Sequence, residues 1–231
     1  MSVDVIIPTS ETNDEPRRDA LRYVTGLYER VYPLWRVILG ICPPGPWSKA
    51  LAVADGLKRS DAEIIVVADG DVWSPTIGTA VCDGLRTNKW SQPHRWVRRL
   101  DEQATADTYN GVLGPGRWDG ALLDRREYAG FLGGGIVALH RETYDDCPLD
   151  PRFEGWGHED ESWAAALRVL HGERWVTPAG RLWHLWHPPA ERNGALGVER
   201  SVQLRDRYME IQGRWDKDEM RRLVSEARQV H

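Results

Sequence analysis

Three short apolar runs, each closed by a loop signal and alternating with segments of helical periodicity, constrain the fold of this chain more than any other feature. Val3 to Pro8, Trp35 to Ile41 and Glu63 to Ala68 have the length and composition of strands buried on both faces. Between the first two, Pro16 stands where a helix begins, and Leu21, Val24, Leu27, Tyr28 and Val31 fall on one of its faces. After Pro43-Pro44-Gly45-Pro46, Ser48 to Lys58 resumes helical spacing through Leu51, Ala54 and Leu57. This alternation predicts an α/β fold, a mostly parallel, doubly wound sheet flanked by helices, with its ligand site beyond the carboxyl ends of the strands.

Further along, the sequence predicts a helix over 74–85, an irregular stretch over 90–127, a segment with three glycines over 131–139 and a helix over about 159–171. Short strands are expected at 175–176 and 181–186, and the charged tail reads as one or two surface helices without chemistry of their own. With 231 residues the chain fits one domain. No segment approaches the roughly 18 consecutive apolar residues of a membrane span, and the start of the chain lacks the features of a signal peptide. Cys42, Cys82 and Cys147 are in no metal-binding spacing, so a reducing, cytoplasmic setting is expected. A net charge of −5 argues against a surface built for phosphate backbones, although the pairs Arg98-Arg99 and Arg125-Arg126 leave room for a local basic patch. Twelve tryptophans exceed what such a chain usually carries; they read either as packing residues or as indole platforms for sugar faces.

Three groups of residues carry chemistry. Asp69-Gly70-Asp71 follows the third strand, where two carboxylates at i and i+2 suit a hard divalent cation that bridges a diphosphate. The second group starts with the glycines of Phe131 to Arg141, among them Gly134 and Gly135, which allow a ligand or a backbone to come close. It ends in Gly155-Trp156-Gly157-His158-Glu159-Asp160-Glu161 at a helix start, where acidic residues serve either the helix dipole or proton abstraction from a hydroxyl. The third group is His184-Leu185-Trp186-His187, two imidazoles at a strand end that can ligate a metal.

In this order these motifs resemble the family 2 type GT-A glycosyltransferases. The Gly-Trp-Gly-x-Glu-Asp segment is similar to that of β-1,4-galactosyltransferases and polypeptide N-acetylgalactosaminyltransferases. The resemblance covers residues 3 to about 193. It implies a single GT-A domain over 1–231, with a nucleotide-sugar half over 1–90, an acceptor and catalytic half over 91–193 and a helical tail over 194–231. Pro8, Thr9, Glu11, Lys49, Asp69 and Gly70 would serve the nucleotide-sugar, the family's Ala-Arg-Asn-x-Gly being replaced by Trp47-Ser48-Lys49-Ala50-Leu51, in which Lys49 would take over the phosphate contact. Asp71 and a histidine, His187 or His184, would hold Mn²⁺ or Mg²⁺, with His187 favoured by its distance to Asn193. Asp160, with Glu159 beside it, would be the general base of an inverting transfer, and Gly134, Gly135, Trp156 and Gly157 would line the acceptor pocket. The acidic residue that closes the family's second strand is replaced by Gly40-Ile41-Cys42-Pro43. The family's secretory membrane anchor is missing from the sequence, which implies a bacterial or phage enzyme. The acceptor is left open between a glycan, a protein, a lipid and a modified nucleobase. Retention of configuration, a sugar-binding module without turnover and a sugar-1-phosphate nucleotidyltransferase are the alternatives.

Overall fold

The computed structural model describes residues 1–11, 14–155, 157–189 and 195–229, with 195–197 described by their backbone alone. The apolar runs form β1 (Val3–Thr9), β2 (Arg36–Ile41) and β3 (Ile64–Ala68), separated by α1 (Glu15–Val31) and α2 (Lys49–Leu57). Asp14 caps α1 by accepting from the Arg17 amide, and Ser48 caps α2 by accepting from the Leu51 amide. Every residue of β1 and β3 is buried, as expected of strands covered on both faces.

The main sheet has six strands in the order β2-β1-β3-β8-β5-β9, adding β5 (Trp90–Gln92), β8 (Ile136–His140) and β9 (Trp175–Val176). The parallel, doubly wound part is confined to β2-β1-β3. Beyond it, β8 runs antiparallel to both β3 and β5, and β9 is again parallel to β5. The sheet is therefore mixed, and an antiparallel neighbour needs no crossover helix to reach its place. A second sheet, β4-β10-β6-β7, is built from β4 (Val72–Trp73), β6 (Trp96–Arg99), β7 (Tyr128–Ala129) and β10 (Arg181–His184). The stretch over 90–127, expected to be irregular, supplies β5, β6 and α5 (Glu102–Tyr109). The helix expected over 74–85 is broken into α3 (Ile77–Thr79), a widened turn at Ala80–Gly84 and α4 (Leu85–Thr87).

Alternation along the strands divides the core in two. Val5 and Ile7 of β1 with Ile64 and Val66 of β3 face α1 and the second sheet, where Trp73, Trp118 and Trp183 are buried. Ile6, Ile65 and Val67 face α2, α6 (Arg141–Asp146) and α7 (Glu159–His171). The tail forms α8 (Ala195–Arg214) and α9 (Lys217–Arg228), and its role differs from that of a surface appendage. Tyr208, Ile211, Met220, Leu223 and Val224 belong to this second core, and the Tyr208 hydroxyl donates to buried Asp150 over 2.9 Å. High charge on the outer face hid an apolar stripe at helical spacing. Among the described residues no helix is long and apolar enough to cross a membrane.

Two close approaches set the geometry of the cleft. Gly40 of β2 lies against the Ala52 carbonyl of α2, and Gly56 of α2 lies against Ile6, so a Cβ at either glycine would collide with its neighbour. Lacking these side chains, α2 settles directly on the sheet and aims its first residue, Lys49, at the carboxyl end of β3. Gly133, in the left-handed region at φ 79°, lies against the Asp160 carbonyl and seats the start of α7 on the loop before β8.

Candidate active site

A cleft of about 780 Å³ opens beyond the carboxyl ends of β1 and β3. Pro8, Thr9, Lys49, Asp69, Gly70, Asp71, Gly157, Glu159, Asp160, His184 and His187 line it, together with Arg17, Trp47, Arg99, Arg125, Phe131, Glu161, Trp186 and Val198.

At one end the chain crosses from the first sheet to the second. The Asp69 amide donates to Gly135 O over 2.9 Å, and β4 starts at once and pairs with β10, placing His184 opposite Val72. The Leu185 amide then donates to the Asp71 carbonyl over 2.8 Å. This pairing carries His184 and His187 across more than a hundred residues to Asp71, and one ligand atom from each of the three lies within 4.8 Å of the others. His187 Nε2 is 2.8 Å and His184 Nε2 3.8 Å from Asp71 Oδ2. Both rings direct Nδ1 at a backbone carbonyl, Leu185 O at 2.6 Å and Pro188 O at 2.8 Å. A carbonyl only accepts, so each Nδ1 carries a proton and each Nε2 turns toward Asp71, the orientation that a metal-ligating histidine requires. One carboxylate with two imidazoles fits a divalent transition metal such as Mn²⁺ better than Mg²⁺, which prefers oxygen alone.

The charges here are strongly coupled. Burial pushes the Asp71 carboxyl up, but His184, His187 and Arg99 outweigh it and hold the group well below the usual carboxylate range. Burial lowers His184 to about 4, with Arg99 and His187 adding to that shift and Asp71 opposing it. For His187, burial is outweighed by its hydrogen bond and proximity to Asp71, so its pKa is raised.

The other end is built around a buried amine. Lys49, only 6% exposed, lies 2.7 Å from Asp69 Oδ1 and 2.8 Å from Asp160 Oδ1. Burial alone would lower the pKa of this ammonium; Asp160 and Asp69 reverse that and raise it, so Lys49 stays protonated. Burial pushes the Asp160 carboxyl up to about 7, with Glu159 and Asp69 acting in the same direction and Lys49 against them. Burial likewise raises Asp69, although Lys49 opposes it. The first turn of α7 carries Glu159, Asp160 and Glu161 after His158, whose φ of 73° makes the sharp entry. Glu159 accepts from the Gly157 amide over 3.0 Å, and Glu161 meets His158 Nδ1 over 2.6 Å. Anions at this helix start complement its dipole.

Several candidates stand elsewhere than expected. Lys49 does not reach into open space for a phosphate; its amine is held between two carboxylates. Glu11 is exposed in the turn after β1 and is absent from the cleft lining among the described residues. Gly135, at φ 76°, packs against Leu182 and His94, and Gly134 backs onto the Asp160 carboxylate, so both shape the wall rather than form an open pocket. Trp156 and Asn193 lie outside the described residues. Of the described tryptophans, Trp73, Trp90, Trp118, Trp163 and Trp183 are buried packing residues, and Trp47 and Trp186 stand at the cleft. Sequence reasoning passed over Arg17, Arg99, Arg125 and Phe131 as site residues; for two of them the signal was there in the basic pairs Arg98-Arg99 and Arg125-Arg126.

Neither a protein-family profile nor a curated protein sequence matches the chain. Solved structures do. The catalytic domain of Drosophila β1,4-galactosyltransferase 7, solved with xylobiose, superposes with a TM-score of 0.51 at 14% identity, covering 87% of this chain and 79% of that one. GalNAc-T7, solved with UDP, GalNAc and Mn²⁺, superposes with a TM-score of 0.50 at 11% identity over 91% of this chain. This chain spans 48% of the length of GalNAc-T7. At such identities the likeness concerns the fold: the chain has the mixed α/β architecture of the GT-A glycosyltransferases.

Proposed function

We propose that this chain is a metal-dependent glycosyltransferase that moves a sugar from a nucleotide-sugar, a UDP-sugar in the first instance, to an acceptor hydroxyl with inversion at the anomeric carbon. The observation that carries the reading is the meeting, in one cleft of a GT-A fold, of the Asp71, His184 and His187 cluster with Asp160, a carboxyl whose pKa is raised to about 7. Galactosyltransferase 7 with its xylobiose and GalNAc-T7 with its UDP, GalNAc and Mn²⁺ are similar folds that support it.

In this reading Asp71, His184 and His187 hold a divalent cation, Mn²⁺ by the chemistry of the donors, which supplies charge neutralisation at the departing diphosphate. Pro8 and Thr9, at the end of β1, and Asp69 with Gly70, at the end of β3, border the nucleoside. Asp160 takes the proton from the acceptor hydroxyl, and a carboxyl that titrates near neutrality suits that task. Glu159 stands beside it at the helix start, where its negative charge helps to raise Asp160. Phe131, 72% exposed at the lip, and Gly157 border the space open to an acceptor.

The test is nucleotide release from a panel of UDP- and GDP-sugars, with Mn²⁺ or with EDTA. Metal-dependent release from one donor, lost in Asp71→Ala, establishes the transfer chemistry and names the donor. No release and no donor binding across the panel would sink the reading. The anomeric configuration of the product, read by NMR, tests inversion against retention.

A further inference from the structure

Arg99 has no part in the reaction as described, yet it sits beside the metal cluster. It ends β6, is half-buried and lines the cleft. Its Nη2 lies 2.9 Å from His184 Nε2. The proton of the His184 ring is held at Nδ1 by the Leu185 carbonyl, so Nε2 offers a lone pair and the Arg99 N–H donates to it. That lone pair is also what His184 contributes to the cluster with Asp71 and His187. A single lone pair cannot serve a guanidinium and a divalent cation at once, and two cations a few ångströms apart repel.

Resting on the glycosyltransferase reading of the same cleft, we propose that Arg99 is a diphosphate-binding residue, passed from His184 to the nucleotide diphosphate when the divalent cation binds. The backbone at this point is pinned, Asp124 N donating to Arg99 O and Leu100 N to His184 O, each over 2.9 Å. Released from the imidazole, the side chain can turn, but its root stays beside the cluster. The planar fork of a guanidinium matches phosphate oxygens in a bidentate manner. Of the described Lys and Arg side chains of the cleft, Arg99 meets a ligand atom of the metal cluster directly, and its hydrogen-bond partner there carries no charge. Lys49 is held by Asp69 and Asp160, Arg17 by Asp14, and Arg125 lies 3.6 Å from Asp124, whereas the hydrogen-bond partner of Arg99 is a neutral ring.

Arg99 thereby couples the two ligands. A cation entering alone must displace the guanidinium and face its charge; with a nucleotide diphosphate present, Arg99 gains an anion and the two ligands bind cooperatively. The experiment measures Mn²⁺ affinity of the full chain by electron paramagnetic resonance and calorimetry, alone and with saturating UDP, for the wild type, Arg99→Gln and Arg99→Lys. In the wild type UDP is expected to tighten Mn²⁺ by about tenfold or more. In Arg99→Gln, Mn²⁺ alone should bind more tightly than in the wild type while the gain from UDP falls, leaving the part that comes from direct contact of cation and diphosphate, and Arg99→Lys should restore part of the loss. Arg99→Gln with wild-type Mn²⁺ affinity and wild-type coupling would overturn the assignment and leave the glycosyltransferase reading standing. Failure of the wild type to bind either Mn²⁺ or UDP would remove that reading and this inference together.

Discussion

The two ends of the cleft each hold half-buried carboxylates, and they compensate the charge in opposite ways. Around Asp71 the balancing groups are two imidazoles and a guanidinium bound to one of them, all of which can give up their contacts to an incoming cation. Around Asp160 the balancing group is one ammonium, 6% exposed and shared with Asp69, which has nowhere else to go. A charge left buried without a partner is costly, so the first end is arranged for exchange and the second for retention. The difference teaches that a set of acidic residues in a cleft does not define one function: the partners decide whether a carboxylate collects a metal or keeps a tuned affinity for protons.

The sharpest way to break the comparison is Asp71→Ala. Mutating groups that merely support metal ligands costs roughly 10 to 100-fold in metal affinity, so loss of a ligand should cost more than about 100-fold and abolish metal-dependent nucleotide release, as calorimetry and the release assay would read. Asp160→Asn keeps the shape and removes the proton acceptor. Turnover should fall by about 10²–10⁴-fold while Mn²⁺ and UDP bind as in the wild type, and equal losses in binding and turnover would contradict the separation of the two ends. Gly133→Ala pushes a Cβ at the Asp160 carbonyl and should lower the stability by about 1–3 kcal/mol in denaturant unfolding, with reduced turnover and unchanged Mn²⁺ affinity.

The smallest effect is a displaced pH profile. The proposed base Asp160 would act only when ionised, and its pKa is raised to about 7, so the rate should climb as pH rises through neutrality. The Lys49 charge opposes that raised value, so Lys49→Met should move the rising limb to higher pH, with several-fold less activity at pH 6.5 and a smaller deficit at pH 9. An unmoved limb would show that Lys49 does not act on the base electrostatically.

Local patterns in the chain suffice for β1, β2 and β3, for the presence of α1 and α2, and for α7, whose span over 159–171 is the one expected from its spacing. These follow from short-range rules of periodicity, capping and turn chemistry, which act within a few residues. The motifs at 69–71, 157–161 and 184–187 were legible for the same reason, since each is a run of unusual side chains at the end of an element. The antiparallel entry of β8, the second sheet to which 90–127 contributes β6, and the apolar stripe of the tail were not, because each depends on a partner far along the chain. The meeting of His184 with Asp71 through the β4–β10 pairing, the placement of Lys49 between Asp69 and Asp160 and the hold of Arg99 on His184 are likewise decisions of the tertiary structure. The sequence determines which groups are available and on what local scaffold. Only packing decides which charges become neighbours, because electrostatic partners are chosen by distance in space and by shared burial.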